Sequence, residues 1–214
     1  MEKIVFDNVL PHVFSSRTDL VSDIWKNHVV FEKGHLYLVE AASGMGKSTF
    51  CSYVIGYRHD YEGRILFDDS DARTLKRADW VDVRKMHISH LFQELRLFPE
   101  LTAKENVEIK NRLTRVAAPE KIDGWFEQLG IADKKDELVG HMSFGQQQRV
   151  ALMRALVQPF DFILLDEPIS HLDDKNAEIL GEIVMKEARE QGAGVIMTSI
   201  GKHVSLDYEK IIKL

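Results

Sequence analysis

Leu36-Tyr37-Leu38-Val39-Glu40 runs into Ala41-Ala42-Ser43-Gly44-Met45-Gly46-Lys47-Ser48-Thr49, and this junction decides the fold. The apolar, β-rich run reads as a buried strand, the small residues as a turn, and Lys47-Ser48-Thr49 as the start of a helix. Phosphate binding needs that order, because successive backbone N–H groups and the positive end of a helix must converge on one anion. Gly44 and Gly46 allow close approach and positive φ. Lys47 is placed to reach the β and γ phosphates of a nucleotide, and the Ser48 hydroxyl to ligate Mg2+. The pattern G-x-x-x-x-G-K-[ST] is met except at its first glycine, where Ala41 stands. A methyl there disfavours positive φ, so a shifted or slightly strained turn is expected. The plainer alternative is a glycine-rich turn capped by Ser48. Cys51, one turn further on, reads as a packed small apolar residue.

Downstream, Phe162-Ile163-Leu164-Leu165-Asp166-Glu167-Pro168 is an apolar strand ending in two acids. Charges beside a buried strand cost desolvation, and a bound cation would offset that cost. Asp166 is therefore the candidate for the Mg2+ shell, as partner to Ser48. Glu167 faces another direction and is the candidate to orient and deprotonate a water aimed at the γ-phosphate. Taken alone, the acids could equally form a turn; Lys47 upstream argues for the metal.

Short apolar runs alternate with helix-period segments, which predicts an α/β protein with a mostly parallel sheet. Lys3 to Val9 and Asp23 to Phe31 alternate more weakly and are expected to form an antiparallel β edge near the N-terminus. Between about residues 94 and 157 the strand signal nearly vanishes. Helices over Lys104 to Thr114, Glu120 to Gly130 and Gln146 to Val157, separated by Pro119, Gly130 and Gly140, suggest an inserted helical lobe. A helix over Asp174 to Gln191, a buried strand over Gly194 to Thr198 and a short strand over Lys210 to Leu214 complete the pattern.

The composition fits one large domain: 214 residues with 44% hydrophobic and 29% charged side chains exclude disordered and coiled-coil classes. With 34 acidic against 28 basic residues the net charge is −6, so no nucleic-acid partner is expected. The single Cys51 forms no intrachain disulfide and, with no second cysteine, is not expected to anchor a thiolate zinc site, which argues against structural zinc and suggests a reducing compartment. The charged opening Met1-Glu2-Lys3-Ile4-Val5-Phe6-Asp7 is unlike a signal peptide, and no apolar run reaches transmembrane length, so any membrane role is expected to be peripheral.

Across nearly its whole length the chain resembles the nucleotide-binding subunit of ATP-binding cassette (ABC) transporters. Two stretches carry the resemblance beyond the phosphate loop. Leu91-Phe92-Gln93-Glu94-Leu95-Arg96-Leu97-Phe98-Pro99 looks like the family's Q-loop, and Met142-Ser143-Phe144-Gly145-Gln146-Gln147-Gln148-Arg149 looks like its LSGGQ element. The resemblance implies a P-loop NTPase with an ATP-binding domain over 1–214 and a lobe at about 94–157. ATP and Mg2+ would be bound, with Gln93 reaching the metal and the attacking water. Ser143, Gly145 and Gln146 would meet the γ-phosphate held by a second ATP-binding subunit, identical or different, across a dimer. Ser170-His171-Leu172-Asp173 corresponds to the D-loop. Phe14, or else His12, stands near the adenine-stacking position, though an aromatic there is as often core. A membrane-spanning transporter subunit would dock near Gln93 to Leu101, placing the chain in the cytoplasm on the inner face of the cell membrane. Leu95, Leu97, Phe98 and Leu101 suit either such a groove or the lobe's own packing. The spacing is similar to small cassettes of the lipoprotein-release, macrolide-export and cell-division type.

Three departures bear on catalysis: Ala41 in the loop, Phe144 for the first glycine of the LSGGQ element, and Ser199 where the family has a histidine that contacts the γ-phosphate. Serine is shorter and uncharged, and losing one transition-state contact costs about 10²- to 10³-fold in rate. His203 is a candidate substitute, with a solvated surface histidine as the alternative. The leading expectation is a transporter ATPase of reduced activity. A nucleotide-gated signalling module with little turnover is the alternative; a soluble cassette for repair or translation and a P-loop kinase account for fewer of the motifs.

Overall fold

Strands buried on both faces build the centre of this computed structural model, which describes residues 1–42 and 44–214; the loop residue Ser43 lies outside the described residues. In chain order the elements are β1 (Lys3–Pro11), β2 (His28–Glu32), β3 (Leu36–Glu40), α1 (Lys47–Val54), β4 (Tyr61–Phe67), β5 (Ser70–Asp71), α2 (Arg77–Asp82), β6 (Ile88–Leu91), α3 (Ala103–Asn111), α4 (Pro119–Gln128), α5 (Phe144–Leu156), β7 (Phe162–Asp166), α6 (Asp174–Gln191), β8 (Gly194–Ser199) and β9 (Lys210–Lys213).

A parallel sheet has the order β6-β7-β8-β3-β9, and an antiparallel sheet the order β2-β1-β4-β5. Every residue of β7 and β8 is buried, as expected for strands covered on both faces. The core divides around this sheet. One cluster joins Leu36, Leu38, Ile163 and Leu165 to the helices α3, α4, α5 and α6. The other joins Val39, Leu164 and Ile196 to α1 and the antiparallel sheet. Alternation along the strands sends successive side chains to the two clusters.

The N-terminal antiparallel edge is present but differs from the expected one. Val9 is followed by two more strand residues, β2 starts only at His28, and β4 and β5 complete the sheet. Residues 23–27 form no strand; Ile24 and Trp25 turn into the core instead. The lobe helices begin and end within a few residues of their expected bounds, and α6 spans the expected residues. Capping explains two of the starts. Thr102 Oγ1 accepts from Glu105 N at 3.1 Å, and Glu105 Oε2 accepts from Thr102 N at 2.8 Å, closing the N-terminus of α3. Ser143 and Gln146 make the same reciprocal pair at the start of α5, at 3.3 and 2.9 Å.

The apolar stretch before α3 splits between its two readings. Leu95 is buried in the lobe core and Leu97 packs partly against it, whereas Phe98 is 47% exposed. Buried Asn106 fixes this segment, with its side chain bonded to Phe98 N and to the carbonyls of Phe98, Leu101 and Thr102.

Candidate functional site

The strand–turn–helix junction forms as read. Gly46 caps α1 with φ +99°, and a Cβ there would lie 2.7 Å from Cε2 of Phe14, so a side chain at this position meets both strain and a ring. Gly44 also has positive φ, at +80°. Ala41, by contrast, is absent from the residues with left-handed backbone: it is buried, and its N–H donates to the Ser199 carbonyl at 3.0 Å. The strain expected from losing the first glycine is therefore not found at Ala41. Trp25 Nε1 donates to the Met45 carbonyl at 3.2 Å and steadies the turn from below.

Lys47 lies at the centre of the site. Its Nζ is 2.8 Å from Asp166 Oδ1, 2.5 Å from Glu167 Oε1 and 3.3 Å from Gln93 Oε1. Burial lowers the proton affinity of this ammonium, but the hydrogen bonds to Asp166 and Glu167 outweigh burial and raise its pKa above the ordinary lysine value. A buried pair of carboxylates facing one ammonium is an acidic pocket with a cation already in it, the arrangement into which a triphosphate and a divalent metal can exchange.

Two supports were not legible in the sequence. Thr198 Oγ1 donates to Asp166 Oδ1 at 2.7 Å, and Gln148 Nε2 donates to the Glu167 carbonyl at 3.1 Å. Both belong to buried stretches in which one polar residue looks like any other. Glu167 itself has φ +50° immediately before Pro168, a backbone disfavoured twice over for an L residue. Strain of this kind, of order 1–3 kcal/mol, collects where a side chain must be aimed. It turns the Glu167 carboxylate toward Lys47 although Asp166, one residue earlier, already points there.

Gly44, Gly46, Lys47, Ser48, Gln93 and Glu167 line one cavity of about 390 Å³, with Val13 and Phe14 at its side. Ala42 and Thr49 also reach it. Phe14 is only 5% exposed, its ring centroid 6.4 Å from that of Trp25, so most of the ring is core and only part forms cavity wall. His12 is exposed, and its N–H donates to the Asp60 carbonyl at 3.0 Å.

Ser199 does not join this cavity. It is 1% exposed and its hydroxyl donates to the Lys202 carbonyl at 2.7 Å, while the next residue, Ile200, lines the cavity. The neighbour of Ser199 along β8, Thr198, turns its hydroxyl to Asp166 instead. His203 is exposed and sets its ring 5.7 Å from that of Tyr208. Ser143, Gly145 and Gln146 sit on the helical lobe at the start of α5, outside the cavity lining. Beside them Phe144 is 44% exposed, its ring edge-on to His171 at 4.3 Å.

A phosphate-accepting turn between a central strand and a helix, with a second strand delivering two carboxylates to the loop lysine, defines a P-loop nucleotide-binding protein. Comparison with known proteins narrows this. The family described as ABC transporter matches residues 27–170. The chain is 31% identical over 182 residues to the ABC transporter ATP-binding protein YtrE of Bacillus subtilis (strain 168), covering 83% of this chain and 79% of YtrE. It is also 31% identical over 186 residues to the lipoprotein-releasing system ATP-binding protein LolD of Myxococcus xanthus (strain DK1622), covering 86% and 83%. Among solved structures, dimeric MJ0796, a bacterial ABC transporter cassette, superposes with TM-score 0.81 at 28% identity over 99% of this chain and 94% of that one. A second dimeric structure of MJ0796, in a post-hydrolysis state bound to ADP and Pi, gives TM-score 0.74 at 27% identity over 92% and 87%. The chain belongs to the ABC transporter family, as an ATP-binding ATPase domain.

Proposed function

We propose that this ABC ATP-binding subunit clamps ATP with Mg2+ at Lys47 and closes against a second ATP-binding subunit, passing the motion to a membrane-spanning partner. The observation that carries the reading is the convergence of Asp166, Glu167 and Gln93 on Lys47 Nζ beside the loop cavity. Ala41, Ala42, Gly44, Met45, Gly46, Ser48 and Thr49 form the cradle whose N–H groups and helix start receive the phosphates, and Ser43, of the same stretch of sequence, lies outside the described residues. Val13 and Phe14 offer the wall for the base. Lys47 exchanges its carboxylate partners for β and γ phosphate oxygens.

The donor set Ser48 hydroxyl, Gln93 amide oxygen and Asp166 carboxylate consists of hard oxygens, which suits Mg2+. An ion held there would offset the charge of the phosphate oxygens. Glu167 then orients a water and takes its proton. Ser143, Gly145 and Gln146 of the second subunit cap the γ-phosphate, so nucleotide held by both chains stabilises the closed pair by mass action. Among the described residues no helix is long and apolar enough to cross a membrane; in this reading the chain attaches to the inner face of the cell membrane through its partner.

A Glu167→Gln variant tests this directly. With ATP and Mg2+ its sedimentation should shift from monomer to dimer, and the shift should vanish when Lys47 is also changed to Ala. A variant that binds ATP yet stays monomeric at high concentration would exclude the homodimer and leave a mixed pair.

The position of Ser199 favours slow turnover within the same reading, because its hydroxyl is committed to Lys202. Single-turnover hydrolysis should be faster in Ser199→His than in the parent; equal rates would remove Ser199 from the account of slow turnover.

A further inference from the structure

Asp166 has neighbours that the nucleotide site does not use. Cys51 Sγ, a ring nitrogen of His90 and a carboxylate oxygen of Asp166 all lie within 4.8 Å of one another. Three elements bring them together for simple reasons. Cys51 follows Lys47 by four residues on α1 and so lies on the same helix face. His90 on β6 pairs with Leu164 on β7, and Leu164 and Asp166 point to the same side of the sheet. All three residues therefore meet where α1 covers the parallel strands.

His90 is the anomaly. Both of its ring nitrogens are shut off from solvent, and neither has a hydrogen-bond partner among the described residues. Its closest aromatic neighbour is Phe92, with ring centroids 4.0 Å apart, which offers no acceptor. A buried, unpaired polar group costs about 1–3 kcal/mol, so a histidine kept in this place asks for a partner. Cys51 is fully enclosed as well, and burial pushes its thiol well above the ordinary value. A thiol, an imidazole and a carboxylate at one point are not a set for Mg2+, which takes oxygen. They are the ligand types of Zn2+, and with His90 and Asp166 beside it one cysteine suffices, although the cysteine count alone argued against a thiolate zinc site.

We propose that Cys51, His90 and Asp166 form a Zn2+ site behind the phosphate loop, and that its occupation antagonises ATP turnover. The antagonism rests on the reading of Asp166 as the carboxylate that serves the nucleotide; the metal site itself does not. Zn2+ bonds of about 2.0–2.3 Å place sulfur and nitrogen ligands about 3.5 Å apart in a tetrahedron, so the side chains close by roughly 1 Å on the ion. The Cys51 S–H bond breaks as the S–Zn bond forms, and the proton leaves to bulk water with no change of oxidation state. The fourth position belongs to a water that the ion carries in; a cleft of about 170 Å³ lined by Tyr57, Arg84, Phe92 and Lys110 reaches His90 from the other side. An Asp166 carboxylate bound to Zn2+ no longer serves Lys47 and Mg2+.

Cobalt is the probe, because Co2+ takes zinc sites and reports a thiolate ligand by a near-ultraviolet charge-transfer band. The full chain, free of nucleotide, is titrated with CoCl2 and then with ZnCl2. The expected result is one equivalent of Co2+ with the thiolate band, bleached by Zn2+. The band is lost in Cys51→Ala, and affinity falls at least tenfold in His90→Leu. Both variants should keep the circular dichroism of the parent. Zn2+ should also inhibit ATP hydrolysis by the parent and spare Cys51→Ala. No thiolate band in the parent, or unchanged Zn2+ affinity in Cys51→Ala, overturns the site and assigns any bound metal to surface histidines. A site that binds while turnover is unaffected overturns the antagonism alone. Because the titration contains no nucleotide, its outcome is independent of the ATP reading.

Discussion

Thr198 Oγ1 donates a 2.7 Å hydrogen bond to Asp166 Oδ1, the oxygen that also receives Lys47 Nζ at 2.8 Å. One carboxylate oxygen is thus held by a neutral and a charged donor from two different elements, β8 and α1. Hydrogen bonds to a charged group contribute about 1.5–3 kcal/mol when buried. Thr198→Val keeps the shape and removes the donor. Its stability in urea should fall by an amount in that range, and its maximal ATPase rate should fall more than its affinity for ATP. A variant as stable and as active as the parent would show that Asp166 is oriented by Lys47 alone.

Gly46→Ala meets a left-handed backbone and the Phe14 ring at once. The backbone term alone costs about 1–2 kcal/mol. The loop must move, so ATP affinity measured by fluorescence titration should drop at least about tenfold. Unchanged affinity would mean that the loop conformation at Gly46 is not the one that receives phosphate.

Ser143→Ala opens the capping box of α5. The expected loss of stability is about 1 kcal/mol, read from thermal or urea unfolding. If the same hydroxyl also meets a nucleotide across the dimer, the ATP-driven association of Glu167→Gln should weaken further than this local loss explains. Association that follows stability alone would confine Ser143 to capping.

Asp161 gives the chain an acid-sensitive tie. Its carboxylate receives the Met1 amino group at 2.7 Å, Lys33 Nζ at 2.5 Å and His87 Nδ1 at 2.6 Å. Burial pushes its pKa up, but the hydrogen bonds from Lys33, the amino group and His87 prevail and bring it from 3.8 to about 2. A folded-state value below the unfolded one adds stability that is present above about pH 4 and lost as pH falls toward 2. Asp161→Asn should therefore be less stable than the parent at pH 6, with the gap closing as pH falls through that window. A gap that stays constant with pH would show that the tie is steric rather than ionic.

The phosphate loop and the strand-end acids were legible because each couples a backbone transition to a rare residue pair: Gly46-Lys47 after one buried strand, Asp166-Glu167 after another. The expectations of fold class and family held for the same reason. Helix α6 was legible at both ends, with Asp173 capping its start and Gly192 ending it at φ +62°. Strand β4 was missed because Gly63 interrupts an otherwise alternating Tyr61, Ile65 and Phe67. The roles of Thr198, Gln148 and His90 depend on what faces them across the sheet, and no local pattern encodes that. The bond from the Ser199 hydroxyl to the Lys202 carbonyl was illegible for a related reason: position in a motif gives the residue type but not where its hydroxyl goes.

The account stands on Lys47 holding nucleotide phosphate, and calorimetry of ATP with Mg2+ on the parent and on Lys47→Ala tests it most directly. Loss of a buried ammonium that makes charge-assisted hydrogen bonds removes about 3 kcal/mol, or roughly a hundredfold in affinity. The account predicts saturable binding of one ATP per chain in the parent and binding at least that much weaker in the variant. Equal affinity in both, or no binding heat in the parent, would contradict it.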